Sequence, residues 1–140
     1  MYERILLAID GSNNAWRAAK EAVKVASLCK DCVIEIVHVV DITKSKTNIL
    51  ETKDVSELEV QGNRIIQPII SMMEAEHITY EVTMLHGIPA ATLIHYANGD
   101  GLFDLMVVGR KGLSSLRRMI LGSVSKRAIN ELDCPVLLVK

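Results

Sequence analysis

The chain opens on a nearly unbroken apolar run, Arg4-Ile5-Leu6-Leu7-Ala8-Ile9, which Asp10-Gly11-Ser12 brings to a halt. An apolar run without polar alternation belongs to a strand covered on both faces, and Asp-Gly-Ser is a turn signal. From Asn13 to about Leu28 the apolar positions Trp16, Ala19, Ala22, Val23 and Ala26 recur at helical spacing, with Lys20, Glu21 and Lys24 between them. That pattern predicts a helix. Val33 to Val40 is rich in β-branched residues and predicts a second buried strand, ending at Asp41. Ile42 to Thr52 is polar and aperiodic, so a mobile loop is expected. Helical period returns from Asp54 to about Ala75 through Leu58, Ile65, Ile66, Ile69 and Met73. Gly62 and Pro68 interrupt it, and Pro68 is expected to kink the helix or mark a boundary. Thr79 to Met84 alternates like a strand with one more exposed face, which suits the edge of a sheet. Pro89 opens a short helix through Tyr96, as proline suits a first helical turn. Phe103 to Val108 reads as a buried strand stopped by Gly109, Gly122 to Leu132 as a last helix, and Pro135 to Val139 as a last strand.

Strands alternating with helices imply right-handed crossovers, hence an α/β, doubly wound, mostly parallel sheet with helices on both faces. Neither a domain boundary nor an internal repeat interrupts the pattern, so residues 1–140 are expected to form a single domain. In open sheets of this kind ligands bind beyond the carboxyl ends of the strands, where the strand order reverses. The positions to inspect are therefore Asp10 and Gly11, Val39 to Asp41, His86 and Gly87, and Gly109 onwards.

Charge and cysteine content narrow the function classes. Sixteen basic residues against 17 acidic leave a net charge of -1, so no global field draws the chain to nucleic acid or to an anionic membrane, and neither is an expected partner. No apolar run approaches the ~20 residues of a membrane span, and the opening run is too short for a signal peptide, so a cytoplasmic location is expected. Three cysteines argue against a disulfide framework. Cys29 and Cys32 have C-x-x-C spacing, but they lie where a helix ends and a strand begins, away from a helix N-terminus that could lower a thiol pKa. Packing and turn roles are expected for them, and no metal site.

The segment from Gly109 to Ser125 carries the most chemistry. Its glycines let backbone N–H groups approach a phosphate chain, and Gly122-Ser123 opens a helix whose N-terminal donors favour an anion. Ser123 and Ser125 add hydroxyls. The plainer alternative is that Gly109 and Gly112 only turn the chain, Ser123 only caps a helix and the basic residues are solvated. Physical reasoning on the residues leaves both open. Neither G-x-x-x-x-G-K-[ST] nor a G-x-G-x-x-G after the first strand is present, which weakens the P-loop and dinucleotide readings.

The same segment resembles the nucleotide motif of the universal stress protein family: Gly, two residues, Gly, nine residues, then Gly-Ser or Gly-Thr. Gly109, Gly112, Gly122 and Ser123 fill every fixed place. Ile9-Asp10-Gly11-Ser12, His38-Val39-Val40 and Cys134-Pro135-Val136-Leu137-Leu138-Val139 resemble the family's first strand and turn, second strand end and closing strand. Ser115 departs from a glycine common in such loops. The resemblance implies a five-stranded parallel sheet in the order 3-2-1-4-5, with the switch between strands one and four. It further implies that Val39 meets adenine through its backbone and that Asp10 lies near the adenine or ribose, though Asp10 is also readable as a turn-forming residue only. Gly109, Gly112, Gly122, Ser123, Val124 and Ser125 would hold ribose and phosphates, with Arg110 and Lys111 as further phosphate partners. ATP is the implied ligand, with Mg2+ carried on its phosphates, and a homodimer through the C-terminal strand is the implied assembly.

The leading function is then a nucleotide-dependent regulatory or stress-response module. Two alternatives stand beside it: a slow ATPase or phosphotransferase, and a nucleotide-free structural member of the fold. Phosphoryl transfer needs a metal held by carboxylates and a group orienting the nucleophile, which Asp10 alone cannot supply. His38, His77, His86 and His95 have no matched nucleophile, so no catalytic residue is expected.

Overall fold

Every residue from Ile5 to Ala8 is buried, so β1 (Arg4–Ala8) takes the centre of a parallel sheet, with a strand on either side. The computed structural model describes residues 1–43, 55–99, 103–110 and 123–140. After β1 come α1 (Asn13–Ser27), β2 (Val33–Asp41), α2 (Val55–Ala75), β3 (Thr79–Gly87), α3 (Pro89–Gly99), β4 (Leu105–Gly109), α4 (Ser123–Glu131) and β5 (Val136–Val139). The five strands lie in the order β3-β2-β1-β4-β5, all pairs parallel. The expected α/β architecture and strand order are therefore the observed ones. Of the stretch from Ile42 to Thr52, the residues after Thr43 lie outside the described ones, and so do Gly112 and Gly122.

Strand alternation divides the core in two. Ile5, Leu7, Ile34, Ile36 and Val107 face α1 and α2, while Leu6, Ala8, Val37, Met106 and Val108 face α3 and α4. The buried side of α1 is almost entirely alanine, at positions 15, 18, 19, 22 and 26, and this brings its backbone close to the sheet. Trp16 is not among the buried residues of α1 and is 38% exposed. Of the two outcomes expected at Pro68, a kink or a boundary, the boundary is not observed, for α2 continues through it from Val55 to Ala75. A proline inside a helix costs about 3 kcal/mol. Burial of Ile66, Ile69 and Met73 on either side, at about 1.5–3 kcal/mol each, offsets that.

Strand β3 is the half-exposed edge the alternation predicts, and extends past Met84 to Gly87. Gly62, read from sequence as an interruption, has a packing role. A Cβ there would stand 2.9 Å from His38 Cδ2 and 3.0 Å from Met84 Cε, so its absence lets α2 lie close over β2 and β3.

The amino ends of the strands are held by charge. Glu35 is only 3% exposed, and its carboxylate accepts from Arg4 Nη2 at 2.5 Å and from the Tyr96 hydroxyl at 2.5 Å. Both carboxylate oxygens thus have a donor, as a buried charge requires. Asp104 ties the start of β4 to the start of β1, accepting from the N–H groups of Glu3 (2.7 Å) and Arg4 (2.9 Å). These two backbone donors, that of Arg4 foremost, hold its carboxyl below the ordinary 3.8. A depressed folded-state pKa contributes stability that is present above the unfolded value and lost as pH falls through the folded one. The Asp104→Asn variant is therefore expected to lose less stability than the parent as urea denaturation is repeated from neutral pH to below 3.8. Parallel acid limbs for the two proteins would contradict this.

Candidate functional site

Beyond the carboxyl ends of the central strands lies a cavity of about 380 Å³. It exists because β1 stops early. The last bond from that segment to β2 is Ile9 N–H to Val37 O at 3.0 Å, whereas β2 runs on to Asp41 paired only with β3. Alternation along a parallel ladder puts the Val39 N–H and C=O on the same side as those of Val37, beyond the end of β1. Apolar side chains from the strands, α2 and α3 line the cavity, among them Ile9, Val37, Leu58, Ile65, Pro89 and Leu93. Asp10, His38, Asp41, Gln61 and Ser123 add polar groups. An apolar chamber with a few convergent polar groups is the usual form of a small-molecule site.

The turn after β1 is built from three residues. Asp10 Oδ1 accepts from Ser12 N–H at 2.9 Å, and Ser12 Oγ accepts from Ala15 N–H at 3.1 Å as the N-cap of α1. Gly11 between them has φ +86°, in the left-handed region that glycine enters without strain. Asp10 therefore does form the turn. The helix cap itself is Ser12, and the carboxylate of Asp10 keeps further acceptor capacity at the cavity wall.

On the other side of the gap the two described ends of the glycine-motif loop meet. Ser125 Oγ donates to Gly109 O at 2.8 Å, joining the first turn of α4 to the end of β4. Ser125 is 2% exposed and its proton is committed to that carbonyl, so it acts as a clamp rather than as a free donor. The first N–H groups of α4 have no intrahelical acceptors and open at the cavity with the positive end of the helix dipole. Gly109 also has a steric role that its motif does not state. A Cβ there would fall 2.5 Å from the carbonyl carbon of Asn14 and 2.6 Å from its oxygen, so α1 crosses the end of β4 where only glycine fits.

Six of the residues singled out in the sequence thus line one cavity: Asp10, Val39, Gly109, Ser123, Val124 and Ser125. Arg110 is not among the lining residues, and its N–H is spent on Val139 O at 2.7 Å. Gly112 and Gly122 lie outside the described residues. The structure adds His38, whose Nδ1–H donates to Ile9 O at 2.9 Å and ties β2 to the end of β1. Its signal was its place beside Val39. Gln61, Gly62, Pro89 and Leu93 carry no motif and enter the cavity through the packing of α2 and α3.

The whole chain, residues 1–140, matches the family model described as the universal stress protein family. This chain belongs to the universal stress protein family. The universal stress protein MJ0531 of Methanocaldococcus jannaschii is 32% identical to it, with 100% of this chain and 83% of that relative covered. The solved universal stress protein UspA of Lactobacillus plantarum superposes with a TM-score of 0.81 at 25% identity, covering 99% of this chain and 98% of that one. Two similar folds hold adenine nucleotides. The universal stress protein of Archaeoglobus fulgidus is in complex with dAMP (TM-score 0.73, 22% identity, 99% and 98% covered). A family protein of Arabidopsis thaliana has AMP bound (TM-score 0.73, 18% identity, 99% and 91% covered).

Among the described residues of this universal stress protein no group of three or more His, Cys, Asp or Glu side chains is arranged to hold a metal. The cysteines lie at the opposite end of the sheet from the cavity. Cys32 is packed in the core, and its thiol pKa is raised by burial and then by Cys29 and Asp104, away from thiolate chemistry. No helix among the described residues is long and apolar enough to cross a membrane.

The contact at Gly109 generates a prediction. Because the opposing atoms are backbone, relief requires moving α1, and overpacking of this kind costs about 1–3 kcal/mol. Gly109→Ala is expected to lower the urea midpoint accordingly, and Gly109→Val to lower it further. Unchanged midpoints would mean that α1 yields freely.

Proposed function

We propose that this protein binds an adenine nucleotide, with ATP as its physiological ligand, and acts as a nucleotide-dependent regulatory module. The observation that carries this reading is the Ser125–Gly109 clamp. It closes the glycine-motif loop at the point where Asp10, Val39 and the first turn of α4 converge on one cavity. The adenine nucleotides in similar folds support the class of ligand. In this reading the Val39 N–H and C=O face a donor and acceptor on the adenine edge. The free acceptor capacity of Asp10 takes a hydroxyl proton of the ribose. The phosphates lie toward Ser123, Val124 and the α4 N-terminus, with Gly112 and Gly122 giving backbone access. Arg110 reaches them only as a neighbouring charge. Mg2+ enters on the phosphates, since the described residues offer no carboxylate cluster for it.

A binding module is favoured over a phosphotransferase by what the two carboxylates at the cavity already do. Asp10 holds the turn before α1, and Asp41 Oδ1 accepts from both the N–H and the hydroxyl of Thr43. We further propose a homodimer through β5, whose half-buried residues sit at the sheet edge, with sedimentation at twice 15.5 kDa as its check.

Calorimetry on nucleotide-stripped protein tests the function. Because the helix dipole and loop donors act on phosphate, ATP and AMP are expected to bind at least about ten-fold more tightly than adenosine, a difference of ~1.4 kcal/mol. GTP is expected to bind more weakly than ATP. Equal affinity for ATP and adenosine would remove the phosphate subsite, and no binding of either would leave a structural member of the fold.

A further inference from the structure

We infer that the cleft between α1 and α2 is a docking surface for an acidic segment of a partner protein that carries one bulky apolar side chain. The cleft, of about 390 Å³, adjoins the cavity beyond the carboxyl ends of the strands. Ile9, Ser12, Ala15 and Ile65 line both. Ile65 is the partition, since its Cγ1 stands 3.1 Å from where a Cβ on Gly11 would be. The floor is apolar, with Ile65 and Ile69, and the walls are Trp16 on α1 and Pro68 on α2.

Trp16 is the residue that the packing of the fold leaves unexplained. It is the only tryptophan in the chain and is 38% exposed beside this cleft. Aromatic side chains so placed are the usual anchors of protein contacts. The charge around it has one sign. The ammonium of Lys20 lies 5.9 Å from the centre of the Trp16 ring, Arg64 lines the opposite wall, and no carboxylate is among the described lining residues. Arg64 on α2 lines the groove and Lys20 on α1 stands beside the Trp16 ring, so an acidic chain seated here has a cation on each helix while its apolar side chain enters between Trp16 and Pro68. In a protein of net charge -1 this local excess of cations selects an acidic partner by electrostatic complementarity.

Trp16 also supplies the measurement, because all tryptophan emission reports on the cleft. The probe is the blocked peptide Glu-Asp-Phe-Asp-Glu, titrated into nucleotide-free protein so that the result stands apart from the nucleotide reading. A saturable change in emission is expected. Replacing the peptide's Phe by Ser, or its four acids by Lys, is expected to abolish it. Arg64→Glu, at an exposed position, is expected to weaken binding about ten-fold or more, the usual scale for reversing one partner of a charge pair. Lys24→Glu, on α1 with Trp16 but outside the cleft, is expected to leave it unchanged. No saturable change, or equal binding by the parent and Arg64→Glu, would overturn the proposal. Equal binding of free N-acetylphenylalanine would overturn it in favour of a small apolar carboxylate.

Discussion

The site depends on one steric constraint: α1 must cross the carboxyl end of β4 at a distance that only a glycine at 109 permits. Alanines along the buried side of α1 allow that approach, and the turn Asp10-Gly11-Ser12 starts the helix immediately after β1. The chain leaving β1 then lies over one face of the sheet while the chain leaving β4 passes to α4 on the other. A crevice between the two departures is the geometric consequence, and its depth is set by β2 continuing beyond β1. The Ser125–Gly109 bond then fixes the floor of that crevice to the helix whose N-terminus opens into it.

The charged ties of the scaffold and the candidate site sit at opposite ends of the sheet. At the amino ends, the Arg4–Glu35–Tyr96 group and the Asp104 strap hold β1, β2, β4 and α3 together with their polar groups satisfied. At the carboxyl ends, Asp10, His38 and Ser125 each spend one hydrogen bond on the scaffold and so hold the cavity wall in place. Such prior anchoring lowers the ordering cost of binding.

Much of the fold was legible because its signals are local. The buried strand Ile5–Ile9 is a continuous apolar run, Val33–Val40 is rich in β-branched residues, and the period of α1 is strong. Periodicity placed Trp16 on α1 but does not say whether an apolar position is buried, and Trp16 is 38% exposed. At Pro68 local signals left a kink or a boundary open, and the helix continues because the burial of Ile66, Ile69 and Met73 outweighs local propensity. Of the site, Asp10, Gly109 and Ser123 to Ser125 were legible as motif residues at strand ends, and Val39 through family resemblance. Gly62, Pro89 and Leu93 were not, because they reach the cavity through contacts between elements far apart in sequence, while His38 was marked only by its place beside Val39. The motif also concealed physical roles, since spacing alone does not distinguish a glycine that admits phosphate from one that admits a neighbouring helix.

The central claim is that adenine nucleotide occupies the crevice between β1 and β4, and amide chemical-shift mapping during a titration with ATP addresses it most directly. The account predicts that saturating shifts appear at Val39, Asp10 and Ser123 to Ser125, while Cys32, Asp104 and Glu35 at the far end of the sheet stay in place. Shifts confined to other surfaces, with Val39 and Ser123 unmoved at saturation, would contradict it.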